Sequence, residues 1–157
     1  MSGAIDPDPI PHEVPVPLGA YVAVALRGQT GYVSGQFPLR DGQIVWPGRV
    51  GAGLTVAQGK EAARVAALNV LGQIRKAMHG DLSRVALCRV DGFIASAPGA
   101  SDLPTVLDGA SEVFVELLGE RGRHARGVFP VSHLPHDMAI ELVVSFQVLD
   151  RAAHGSS

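Results

Sequence analysis

The chain has 157 residues, a formal net charge of −2 and 46% hydrophobic residues, which fits one globular domain whose core needs neither metal nor disulfide. Its single cysteine, Cys88, excludes an intrachain disulfide and fits a reducing compartment. Thirteen Lys and Arg against fifteen Asp and Glu, no basic stripe, and only two Tyr and one Trp argue against a nucleic-acid partner.

The first residues lack a basic, apolar leader. No apolar run reaches the roughly 20 residues that span a bilayer, so the expectation is a cytoplasmic protein with no membrane partner. Residues 1–17 are rich in proline and read as an extended lead-in; residues 18–150 read as one domain, and 151–157 as a flexible tail. Residues 21–26 predict a strand, joined through Arg27-Gly-Gln-Thr-Gly31 to a short partner over 32–34. Residues 37–54 read as a Gly/Pro-punctuated loop.

Thr55 and Gln58 then have the spacing of a capping box, in which hydroxyl and amide each satisfy the other's backbone N–H. Behind them Val65, Leu68, Leu71, Ile74 and Met78 recur at helical spacing as far as about His79, and Gly80 suits the C-cap. Residues 82–95 alternate as a strand, with a bulge expected at Gly92 and Cys88 read as a small core residue. Asp102-Leu103-Pro104 opens a second helix; Leu107, Ala110, Phe114, Leu117 and Leu118 form its apolar stripe, and Gly119 and Gly122 end it. Strands over 126–132 and 138–149 close the chain. The order β-β-α-β-α-β-β predicts an α+β, two-layer sandwich: a mixed sheet with two helices on one face.

Two charges stand out among these strands. Arg126 reads either as a surface or subunit salt-bridge residue, or as a rigid fork that grips a carboxylate bidentately. Glu141 reads either as an edge-facing residue or as a proton-handling group. Its neighbours Ile140, Leu142, Val143 and Val144 are all apolar, as in a central strand, and an unpaired carboxyl there would have a raised pKa. Together the two residues predict a pocket where a cation holds an anionic ligand beside a proton-handling carboxylate.

The other candidates are plainer. Tyr21 fits a rim residue, and Ser34 a strand-end hydroxyl with no G-x-S-x-G elbow around it. His133 and His136 flank Leu134-Pro135 without a third ligand, so no metal is expected. Gly51-Ala-Gly53 lacks the Lys-Ser/Thr of a phosphate loop.

Taken together, Tyr21, Ser34-Gly35-Gln36-Phe37-Pro38, Ala66 with Asn69, Ala125-Arg126-Gly127-Val128, Leu134-Pro135 and Ile140-Glu141-Leu142 resemble the motifs of the Rid (YjgF/endoribonuclease L-PSP) family, in the family's order and spacing over residues 18–149. The resemblance implies the chorismate-mutase-like sandwich and a homotrimer with ligand clefts between subunits. It also implies hydrolysis of reactive 2-imino or enamine acids to 2-oxo acids and ammonia. In that reading Arg126 holds the substrate carboxylate and Glu141 positions or activates water. Tyr21 and Ser34 line the cleft, backbone near Gly35 and Val128 helps hold the substrate, and no metal or organic cofactor is needed.

The chain departs from the deaminase pattern in having Gly127-Val128 where Ser-Cys is usual, and Leu107-Asp108-Gly109 where an asparagine is common. With its segment over 40–53 it is similar to a longer subgroup of the family. Two alternatives stay open: a non-catalytic, regulatory binder of small carboxylates, and the ribonuclease of the family's older label. For the second, the chain lacks the His/Lys pairs and basic groove that RNA cleavage calls for.

Overall fold

The computed structural model describes residues 8–151; the remainder of the expected lead-in and tail, residues 1–7 and 152–157, lies outside the described residues. The predicted order is found. Strands β1 (Val24–Arg27) and β2 (Thr30–Gln36) precede helix α1 (Val56–Ala77), then β7 (Val85–Ala95), α2 (Leu103–Leu118), β8 (Ala125–Val131) and β9 (Ile140–Val148). They build one mixed sheet in the order β1-β2-β9-β7-β8. Only β7 and β8 run parallel; the other pairs are antiparallel. Both helices cover the same face, and the core lies between the layers, with Leu71, Ile74, Phe114, Ile140 and Phe146 fully buried. Side chains of this size contribute roughly 1.5–3 kcal/mol each on burial.

Local chemistry explains the elements. The Thr55 hydroxyl accepts from Gln58 N, and the Gln58 amide oxygen accepts from Thr55 N, closing both halves of the capping box. The helix ends at Ala77, two residues short of expectation, because His79 and Gly80 both turn left-handed. The sheet's central strand is β9, as its two-sided apolar pattern predicts.

Segment 37–54, expected as a loop, holds two small ribbons: β3 (Leu39–Arg40) with β4 (Gln43–Ile44), and β5 (Arg49–Val50) with β6 (Gly53–Leu54). Asp41 and Gly42, both at positive φ, form the two-residue turn of the first. Asn69 anchors this region from α1, donating to the carbonyls of Phe37 and Leu39 at 2.8 Å each. The proline-rich segment from residue 8 lies along α1. Arg75 pairs with Asp8 at 2.7 Å and donates to Ile10 O and Pro11 O, and Gln73 donates to Pro15 O.

Three finer expectations are corrected. The β7 bulge is at Cys88, not Gly92: Leu87 faces Phe146 and Arg89 faces Ser145, so Cys88 is the extra residue. That irregularity turns Cys88 outward, and it is exposed instead of in the core. Gly92 instead makes room for the Leu107 side chain, which a methyl there would strike. Leu117 lies on the exposed side of α2, while Val106 and Val113 complete the buried stripe.

Gly109 of α2 lies against the backbone carbonyl of Lys60 in α1. A methyl group would overlap that oxygen, and helical backbone cannot swing aside as a side-chain end can. Gly109→Ala should therefore destabilise the fold by about 2 kcal/mol, read as a lower urea midpoint with an unchanged slope.

Candidate functional site

Arg126 and Glu141, expected to share one pocket, lie on opposite faces of the sheet and on strands that β7 separates. Arg126 pairs with Val90 in the ladder, and Val90 is fully buried on the helix side. The guanidinium accordingly reaches α2. Glu141 pairs with Phe93, and both alternate with core residues, so they point to the face that no helix covers.

On the helix side, Arg126 sits at the sheet edge among polar groups of α2. Its Nη1 lies 2.9 Å from Asp108 Oδ1 and donates to Ser111 Oγ at 3.1 Å, while Nη2 donates to Pro104 O at 3.3 Å. Its Nε has no acceptor among the described residues. Ser111 Oγ also lies 2.9 Å from His124 Nε2, and His124 Nδ1 lies 2.6 Å from Gly122 O. A carbonyl can only accept, so Nδ1 carries the proton and Nε2 accepts from the Ser111 hydroxyl. Burial lowers the His124 pKa, the Gly122 bond opposes this, and Arg126 lowers it further. The result is a relay, Gly122 to His124 to Ser111 to Arg126, that fixes the plane of the guanidinium. Val128, which pairs with Gly92, is on this side too.

On the open side, Glu141 lies directly against Gly35, in the β2 irregularity between Val33 and Gln36. A side chain at Gly35 would occupy the space of the carboxylate. Ser34 Oγ donates to Val22 O at 2.7 Å, which holds the chain beside the exposed Tyr21 against this bulge. Phe93 stacks on Phe129 with ring centroids 5.1 Å apart. Tyr32, Phe129 and Val143 are 54%, 41% and 39% exposed.

Glu141 has no ion-pair or hydrogen-bond partner among the described residues, and desolvation by burial raises its pKa. An acid whose folded-state value lies above its unfolded one opposes folding when ionised. The penalty is absent below the unfolded value, grows as pH rises through the shifted value, and is full above it. Glu141→Gln should therefore melt above the wild type near neutrality and together with it in acid, read from melting temperatures at the two pH values.

The structure thus groups Gly35 with Glu141, Ser34 with the Tyr21 segment, and Arg126 with Val128. Ser111 and His124 were missed as partners of Arg126. One signal for each was present in the sequence. His124 and Arg126 are two apart beside a strand, hence on one side of it, and Asp108 and Ser111 are three apart on a helix, hence on one face. No group of three His, Cys, Asp or Glu among the described residues could hold a metal. No helix among them is long and apolar enough to cross a membrane.

Comparison with known proteins agrees with this architecture. The family model described as "YjgF/chorismate mutase-like, putative endoribonuclease" matches residues 9–149. Protein TCP17 of Trypanosoma cruzi is 38% identical over 128 residues, which are 80% of this chain and 79% of that one. The crystal structure of Atu1372 from Agrobacterium tumefaciens is 36% identical, with a TM-score of 0.81 over 85% of this chain and 84% of its own. A Shewanella oneidensis protein under the same endoribonuclease description is 33% identical, with a TM-score of 0.84 over 88% and 91%. By its motifs, its sheet order and these matches, the chain belongs to the YjgF/chorismate mutase-like (Rid) family.

Proposed function

We propose that the protein is a Rid-type deaminase that hydrolyses reactive 2-imino or enamine acids to 2-oxo acids and ammonia, in clefts shared between the subunits of a homotrimer. The observation that carries this reading is Glu141: a half-buried, unpartnered carboxyl with a raised pKa, seated over a glycine on an uncovered sheet face. Burial that raises its affinity for a proton makes such a group a better base than a solvated carboxylate, suited to take and return a proton.

Arg126 supplies the anion clamp, and its place on the opposite face is the reason for a shared cleft. One copy presents Arg126 and Val128 at its β8 edge, and its neighbour presents Glu141, Gly35, Ser34 and Tyr21. The exposed Tyr32, Phe129 and Val143 around Glu141 give the neighbour an apolar surface to cover. The copies pack by closed symmetry, so every cleft is alike.

In the reaction Arg126 holds the substrate carboxylate, and Glu141 removes a proton from water as its oxygen attacks C2. The substrate enters as the iminium, so its nitrogen takes up the C=N electron pair and becomes a neutral amine as the bond becomes single. Glu141 then returns its proton to the nitrogen of this carbinolamine and the C–N bond breaks. As ammonia leaves, the hydroxyl gives its proton to the Glu141 carboxylate, which passes it to the departing ammonia, and the 2-oxo acid carbonyl forms. Because the imine carbon is already electrophilic, the residues named suffice.

The test uses 2-imino acids generated in situ by an amino-acid oxidase, with the decay to 2-oxo acid followed in time. The protein is expected to accelerate that decay, and Arg126→Ala to abolish the acceleration with assembly intact. A wild-type rate equal to buffer would end the proposal, and binding of 2-oxo acids without turnover would favour the regulatory alternative.

A further inference from the structure

The arginine expected to clamp a ligand carboxylate already faces a carboxylate of its own chain. Asp108 Oδ1 is 2.9 Å from Arg126 Nη1, with the two side chains 45% and 27% exposed. Asp108 makes no other ion pair or hydrogen bond among the described residues. Its backbone position on α2 and the Ser111–His124 relay hold the pair in fixed register. Arg126 Nε, on the other edge of the same planar group, has no acceptor among the described residues.

Such a site discriminates by charge. A ligand with a carboxylate alone meets a cation partly neutralised by Asp108, and is repelled by Asp108 itself. A ligand with a carboxylate and a protonated nitrogen on the same carbon matches both groups at once: its anion on the open guanidinium edge, its cation on Asp108. Charged groups on a partly desolvated site are discriminated more sharply than in water.

We propose that Asp108 is a specificity-determining residue, making the site select 2-amino and 2-imino acids, whose nitrogen is protonated, over 2-oxo acids of the same skeleton. The inference rests on the reading of Arg126 as a carboxylate clamp. It adds a consequence for turnover: the 2-oxo acid product, having lost its cationic nitrogen, is released by repulsion from Asp108.

The experiment is calorimetry on the full-length assembled protein with L-alanine and pyruvate, which share a carbon skeleton and differ at C2. The wild type should bind alanine about 10-fold or more tightly than pyruvate, the scale of one charge-assisted hydrogen bond. Asp108→Asn, which keeps side-chain volume and an acceptor oxygen, should lose that preference by weakening alanine and strengthening pyruvate. Arg126→Ala should lose both ligands.

A wild type that binds pyruvate as well as alanine overturns the inference. So does an Asp108→Asn variant with an unchanged ratio. In either case loss of binding in Arg126→Ala leaves the clamp standing. If the wild type binds neither ligand, the clamp falls and the role of Asp108 with it.

Discussion

Arg126→Ala and Glu141→Gln should each be nearly inactive alone, yet trimers co-assembled from equal amounts of both should regain about one quarter of wild-type imine hydrolysis. The expectation follows from the opposite facing of the two residues, one toward α2 and one toward the uncovered side of the sheet. A cleft that draws its arginine from one copy and its glutamate from the next is intact in one of the four ways two variants can meet. Each single loss removes either substrate orientation or general-base help, effects of at least about 100-fold apiece. Even partial recovery would therefore stand far above either parent. The measurement is specific activity of co-expressed, doubly tagged trimers, against the two parents mixed after purification. Recovery only in the co-assembled sample is the expected pattern. No recovery in assembled mixed trimers would show that the cleft is not divided between copies.

The same geometry shows which parts of the molecule could be read in advance. The capping box at Thr55 and Gln58 and the stripe from Val65 to Ile74 are local signals, written in side chains a few residues apart. They fix α1 almost to the residue. Strand β9 was legible as central because it is apolar on both faces. The facing of Arg126 was not, because it depends on pairing with Val90, which is thirty-six positions earlier in the chain. Alternation says that two neighbours in a strand oppose one another; it does not say which of them meets the helices.

The Cys88 bulge was hidden for a related reason. A bulge is a count of two residues against one, and the partner residues, Phe146 and Ser145, lie on a strand almost sixty positions away. By contrast, the Asp41-Gly42 turn did carry a local hairpin signal. It was masked by the surrounding glycines and prolines, which favour reading the whole segment as loop. In the candidate site, the residue types that carry charge were evident. The partners that tune them, Asp108, Ser111 and His124 around Arg126, required the packing of α2 on β8.

Gly35→Ala should lower kcat for imine hydrolysis by about 100-fold while changing KM and melting temperature little. The added methyl would overlap the Glu141 carboxylate and press on its Cδ and Cγ from 2.8 and 3.1 Å. Gly35 is not among the residues at positive φ, so alanine fits its backbone without strain. The atoms in the way belong to the free end of a flexible side chain, which can turn aside. Stability should then change by no more than about 0.5 kcal/mol, whereas a carboxylate moved by about an ångström no longer meets the water it must deprotonate. The double variant decides whether the loss runs through Glu141. With Glu141→Gln already in place there is no base left to displace, so adding Gly35→Ala should cost nothing further, a complete failure of additivity. A second, equal drop in the double variant would instead mean that the glycine backbone touches the substrate directly, and that the methyl blocks the ligand and not the base.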